Sequence, residues 1–135
     1  MRIVIHDYAG HPFPVQFSRE LARRGHQVTH AYAGGLLTPR GVLTQQADDP
    51  AGFRYVEIPM SPLYRVNKYS FIKRLGYERD YGRELGKAIG ILRPDLILSG
   101  QTPSDPQLSL IRAAATLGIP VITWVQDFYS LAVDK

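Results

Sequence analysis

No cysteine occurs in the sequence, and that one absence removes disulfide scaffolds, thiolate metal sites and cysteine nucleophiles together. It also makes a reducing, cytoplasmic home the expected one. Long apolar runs are missing: none approaches the roughly 18 to 20 residues needed to span a bilayer. The opening MRIVIHDYAG lacks the basic, long apolar and small-residue regions of a secretory signal. The fingerprint G-x-G-x-x-G is absent, since the first loop offers only Gly10 before Pro12 and Pro14, which argues against a dinucleotide-dependent dehydrogenase. No stretch reads G-x-x-x-x-G-K-S/T, so ATP or GTP hydrolysis has no support. A receiver domain would place an aspartate after the third strand, where YVEIP offers Glu57 before a proline.

What is present reads as one domain of ordinary size: 135 residues, 44% hydrophobic and 21% charged. Sixteen Lys and Arg against twelve Asp and Glu give +4. That mild excess would suit a polyanion, a nucleotide or an anionic membrane; nucleic acid is not among the expected partners. Arg2 to His6 is a short apolar run, as in a strand buried on both faces of a parallel sheet. Phe13, Phe17 and Leu21 recur every fourth residue, and Arg23, Arg24 and Gly25 end that helix. Gln27 to Ala33 is the second strand, after which Gly34 to Gly52 is a long loop without periodicity. Phe53 to Pro59 is the third strand, and PMSPLYRVNKY after it is expected to be irregular. Ser70 to Leu92 keeps helical spacing; its Gly82, Gly86 and Gly90 suggest close packing on the sheet. Asp95 to Ser99 is the fourth strand. Asp105 is then expected to cap, and Pro106 to open, a helix ending at Gly118 before the fifth strand, IPVITWV. Strand and helix alternate, so the expected fold is α/β: a Rossmann-like parallel sheet, helices on both faces, strand order 3-2-1-4-5.

In such a sheet ligands bind beyond the carboxyl ends of the strands. That selects three loops: His6 to His11, Gly100 to Asp105, and Gln126 to Tyr129. His6 and His11 could hold a phosphate or a hydroxyl, or be merely solvated. His26 and His30 fall in a turn and a strand, not on one helix face, which disfavours a metal site. Asp7 and Asp127 could form a carboxylate pair, although a turn-capping role for Asp127 is favoured. Between Tyr64 and Arg83, the cations Arg65, Lys68, Lys73, Arg74 and Arg79 alternate with Tyr64, Tyr69, Phe71 and Tyr77. That pattern fits either a membrane-surface contact or a solvated face over a core helix.

The segments GHPFPVQFSRELARRGHQVT, RPDLILSGQTPSDPQ and ITWVQDFYS, in this order, resemble the N-terminal domain of family 4 glycosyltransferases of the GT-B fold. Within that family the bacterial surface-polysaccharide transferases of colanic-acid and fucosamine type are the most similar. The resemblance covers nearly the whole chain. It implies that residues 1–135 are an N-terminal, acceptor-binding domain, truncated before the donor-binding domain that would hold a nucleotide sugar. It further implies a retaining transferase, without metal or other cofactor, that acts on a glycan or lipid-linked acceptor at the inner face of the plasma membrane. Charge stabilisation would then matter more than a protein base, and no catalytic residue is assigned. The expected substrate-binding residues are Gly10 and His11 in the first loop, Gln101 and Thr102 after the fourth strand, and Gln126 and Asp127 after the fifth. Gln126 stands where the family commonly has histidine; it can hydrogen-bond a sugar hydroxyl but cannot titrate. A noncatalytic acceptor-docking subunit of a split transferase is the second reading, and the reading frame downstream of Lys135 would separate the two.

Overall fold

In chain order the elements are β1 (Arg2–Asp7), α1 (Pro12–Arg23), β2 (Gln27–Ala33), β3 (Phe53–Ile58), α2 (Leu63–Asn67), α3 (Phe71–Leu92), β4 (Leu96–Ser99), α4 (Ser104–Thr116) and β5 (Val121–Thr123). They are taken from a computed structural model that describes residues 1–36, 38, 40–67 and 69–125. All four strand pairings are parallel and the order is β3-β2-β1-β4-β5, as the alternation of strands and helices predicts. β1 lies in the middle because both of its faces are apolar and must be covered. Ile3 and Ile5 join Val15, Ala22, Val28 and Phe53 in the core beneath α1. Val4, on the other face, joins Ala31, Ile97, Leu85, Ile89 and Leu110 in the core beneath α3 and α4. Helices therefore cover both faces.

Local chemistry sets the element ends. Pro12 and Pro14 fall in the first turn of α1, where the missing amide protons cost nothing. The helix stops at Gly25, whose φ of 89° lets its amide reach Ala22 O at 3.0 Å while His26 N reaches Leu21 O at 3.2 Å. α3 ends at Arg93, held left-handed at φ 42° ahead of Pro94, which cannot continue a helix. The long connection between β2 and β3 forms no helix or strand among its described residues. Arg19 on α1 anchors it through Asp49 at 2.5 Å, and Gly41 N anchors it to Gly10 O at 3.0 Å.

Three expectations are corrected. Residues 63–67, expected to be irregular, form the short helix α2: Ser61 starts it, its Oγ accepting from Leu63 N at 3.3 Å and its carbonyl from Tyr64 N at 3.0 Å. Asp105 does not cap α4; the cap position is Pro103, and Asp105 sits in the first turn, where its charge favours the helix N-terminus. Of the glycines of α3, Gly82 and Gly86 face α4 rather than the sheet, and Gly90 faces open space. A Cβ on Gly82 would lie 2.7 Å from Ser109 Oγ and 3.2 Å from Pro106 Cα, one on Gly86 would lie 3.7 Å from Ala113 Cβ, and one on Gly90 would touch nothing. Only Gly82 is required for the helices to approach.

Candidate functional site

The carboxyl edge of the sheet is built around the turn from β1 into α1. Asp7, the last residue of β1, accepts a hydrogen bond from His11 N at 2.6 Å, and the amides of Gly10 and Ala9 also bond to it. Burial raises its pKa above the usual aspartate range, and these backbone donors oppose that rise. The helix N-terminus that holds phosphate in dinucleotide-binding folds is therefore filled by the protein's own carboxylate. Gly10 makes the turn possible at φ 77°, and a Cβ there would lie 2.8 Å from Leu43 Cδ1.

On the opposite face of β1, His6 is fully buried at the centre of a polar network. Thr102 donates its single hydroxyl proton to Gly100 O at 2.9 Å, and Ser99 donates its own to Gln107 Oε1 at 2.8 Å. Both hydroxyls therefore accept from His6 Nδ1, at 3.4 and 3.2 Å. That leaves Nε2 bare to accept from the Tyr81 hydroxyl at 2.8 Å. Burial, with a smaller contribution from His30, lowers the His6 pKa to about 3. A neutral, fully partnered imidazole of this kind holds β1, β4 and α3 together. His30 lies buried beneath α1 with only one ring nitrogen partnered: its Nδ1 lies 2.8 Å from Ser18 Oγ, its Nε2 has no partner, and burial followed by the Arg19 charge lowers its pKa to about 4.

Beside this network lies a cavity of about 710 Å³. Its walls come from the first loop (Tyr8, Ala9, His11), the turn after β4 (Gln101, Thr102), α2 (Tyr64) and the first turns of α3 (Arg74, Glu78). Glu78 accepts from the Tyr64 hydroxyl at 3.3 Å and pairs with Arg74 at 3.4 Å, both through Oε1. Burial raises its pKa, and Arg74 and Tyr64 counter the rise. A second cavity, of about 240 Å³, opens at the amino edge between Arg2, Gln27 and Pro94, away from the strand ends where ligands of such sheets bind.

His11, Gln101 and Thr102 thus meet at one cavity, as the loop positions predict, with Gly10 behind them in the turn. Gln126 and Asp127 lie outside the described residues, and the Asp7–Asp127 pairing with them. Sequence reasoning did not assign Tyr8 or Glu78 to the site, and it treated Tyr64 and Arg74 as surface. A signal for Glu78 was available: it falls on the same helical stripe as Tyr81, Leu85 and Ile89, all buried, where a carboxylate needs a reason.

No protein-family model matches this sequence, and no curated protein matches it. Solved structures do. The C-terminal domain of the PF1911 hydrogenase from Pyrococcus furiosus superposes with a TM-score of 0.60 at 13% identity, over 90% of this chain and 89% of that one. CalG4, the calicheamicin glycosyltransferase, superposes at 0.56 with 19% identity, over 94% of this chain and 31% of that one. The UDP-glucose 4-epimerase of Thermus thermophilus, solved with NAD, superposes at 0.52 with 18% identity, over 88% of this chain and 35% of that one. The chain spans about a third of the glycosyltransferase and of the epimerase. What it shares with all three is the α/β Rossmann-like fold, found in a glycosyltransferase among other proteins.

Proposed function

We propose that this chain is the acceptor-binding N-terminal part of a retaining GT-B glycosyltransferase of family 4, which moves a sugar from a nucleotide sugar to a glycan or lipid-linked acceptor in bacterial polysaccharide synthesis. The observation that carries this reading is the cavity at the carboxyl edge, where the phosphate-binding position of the first loop is already filled by Asp7. Such an edge offers hydrogen-bonding groups and aromatic rings to an acceptor, with Tyr8 and Tyr64 as ring surfaces and His11, Gln101, Thr102 and Glu78 as polar contacts. The donor is left to a second domain. Likeness of fold to part of CalG4, a longer glycosyltransferase chain, supports a glycosyltransferase reading.

On this reading His11, Gln101 and Thr102 orient the acceptor, Gly10 shapes the turn behind them, and Gln126 hydrogen-bonds the transferred sugar or the acceptor while Asp127 orders the turn beyond it. No metal or other cofactor takes part. The location proposed is the cytoplasmic side of the plasma membrane. Among the described residues no helix is long and apolar enough to cross a membrane. Peripheral contact is supported by α2 and the start of α3, where Val66 and Ile72 are 78% and 82% exposed beside Arg65 and Lys73.

The test is transfer by the complete enzyme, assayed with candidate nucleotide sugars and lipid-linked acceptors. His11→Ala and Gln101→Ala should each lower kcat/KM for acceptor by about 5- to 150-fold, the equivalent of one hydrogen bond lost from a desolvated site, with folding unchanged. Activity should survive EDTA, and the 135-residue chain alone should transfer nothing. Turnover by that chain, or full activity of both variants, would refute the reading.

A further inference from the structure

The cavity of about 240 Å³ at the amino edge lies at the other end of the sheet from the proposed acceptor site. It exists because α3 stops at Arg93, which leaves the starts of β2 and β3 uncovered beside Leu92 and Pro94. Thr29 and Arg54 are register partners on β2 and β3, so their side chains share the face that borders this opening. Thr29 is only 6% exposed. Its hydroxyl accepts from Arg54 Nε at 3.0 Å and gives its own proton to no described residue. That bond orients the guanidinium, whose two terminal nitrogens meet no acceptor among the described residues.

Charge decides the sign of the guest. Among the described residues no carboxylate lines the cavity. Arg2 is held by Asp95 through its amide, at 2.7 Å, and through Nη2, at 2.9 Å, so the charges of that pair cancel. The last carbonyls of α3 bring about half a negative charge near Leu92, less than the whole charge on Arg54. One oriented guanidinium with a buried hydroxyl beside it matches a singly charged planar group. A phosphate would press its remaining charge against Leu92 and Pro94, where nothing pairs with it.

We propose that this cavity binds a small organic carboxylate with an apolar body. The carboxylate accepts from the terminal nitrogens of Arg54 and from the Thr29 hydroxyl, and the apolar body lies against Leu92 and Pro94. This ligand is a second guest of the chain, and its site shares no residue with the carboxyl-edge cavity.

The experiment is an amide NMR titration of the 135-residue chain with benzoate, its neutral isostere benzamide and inorganic phosphate as separate probes, each up to about 20 mM. Benzoate should bind in the millimolar range and shift the amides of Thr29, Gly52, Arg54 and Leu92, with no shift at His11 or Thr102. Benzamide and phosphate should each bind about tenfold more weakly or not at all. Arg54→Gln, at an exposed position, should weaken benzoate about tenfold with the melting temperature unchanged. Thr29→Val, which keeps the branched shape, should weaken it by a smaller factor. The proposal is overturned if benzoate causes no shift in this range, if benzamide or phosphate binds as tightly, or if the shifts centre on the carboxyl edge. Full benzoate binding by Arg54→Gln would overturn it as well.

Discussion

Gly10 and Asp7 work as a pair. Asp7 gathers the amides of the first turn, and those amides converge only because Gly10 takes a left-handed φ of 77°. The side chain that alanine would add there points at the end of Leu43, a flexible neighbour that can yield, so the main penalty is the left-handed backbone. Gly10→Ala should lower the free energy of unfolding by about 1 to 2 kcal/mol, measured by urea denaturation. No change would mean that the turn relaxes to another conformation. The chemistry of Asp7 could not be read from the sequence, because an aspartate after a first strand serves equally as ligand, base or cap. The four-residue step to the amide of His11 becomes a cap only once the helix begins at Pro12.

Among the elements, the helix pair on one face of the sheet gives the sharpest contrast. Gly82 and Gly90 lie on the same helix with the same spacing rule, yet one meets α4 and the other meets open space. Gly90→Ala should stabilise by roughly 0.5 to 1 kcal/mol through helix propensity. Gly82→Ala should destabilise by roughly 1 to 3 kcal/mol, because the added methyl runs into Ser109 and the backbone of Pro106. Thermal melts of the two variants check both signs. The α2 region makes a further prediction. Val66, Phe71 and Ile72 are exposed beside Arg65 and Lys73, whereas Arg74 and Arg79 are paired with Glu78 and Asp105 and Lys68 lies outside the described residues. The cationic share of binding is therefore small and the apolar share large. The protein should float with anionic liposomes at low salt and keep part of that binding at high salt, and Ile72→Asp should abolish it; absence of flotation at low salt would end the membrane proposal.

Strands and long helices were legible in the sequence for physical reasons. β2 matches Gln27 to Ala33 residue for residue, because a buried strand between a glycine stop and a glycine pair has little freedom in its ends. α3 begins one residue after the expected Ser70, which is its cap. α2 was missed because five residues cannot show a helical period. Of the residues that line the candidate cavity, His11, Gln101 and Thr102 were legible because they follow strand ends. Its other wall was not: Tyr8 comes from the first loop, far in sequence from Tyr64, Arg74 and Glu78 on the consecutive helices α2 and α3, and only packing unites them.

For the whole molecule, acid is the condition that separates the two buried imidazoles from the unfolded chain. His6 and His30 stay neutral in the fold down to about 3 and about 4, but titrate near 6.5 once exposed. Below about 6.5 the unfolded state binds more protons than the native one, so stability falls as pH drops, by up to about 1.4 kcal/mol per pH unit for each histidine. Asp7 and Glu78, whose pKa values are raised, act in the opposite sense, and only nearer their own titration range. Urea midpoints should therefore be level from about pH 7.5 to 6.5 and decline towards pH 5; a rise over that interval would contradict the burial of both rings.

The filled turn after β1 has a consequence for selectivity in a crowded cell. A helix N-terminus at such a turn is a ready anion site in many folds, and here the Asp7 carboxylate occupies it. A second anion would find no free amides at that turn, because those of Ala9, Gly10 and His11 already bond to Asp7. A single carboxylate, four residues before the amide it holds, thus stands where an outside anion would otherwise meet the helix.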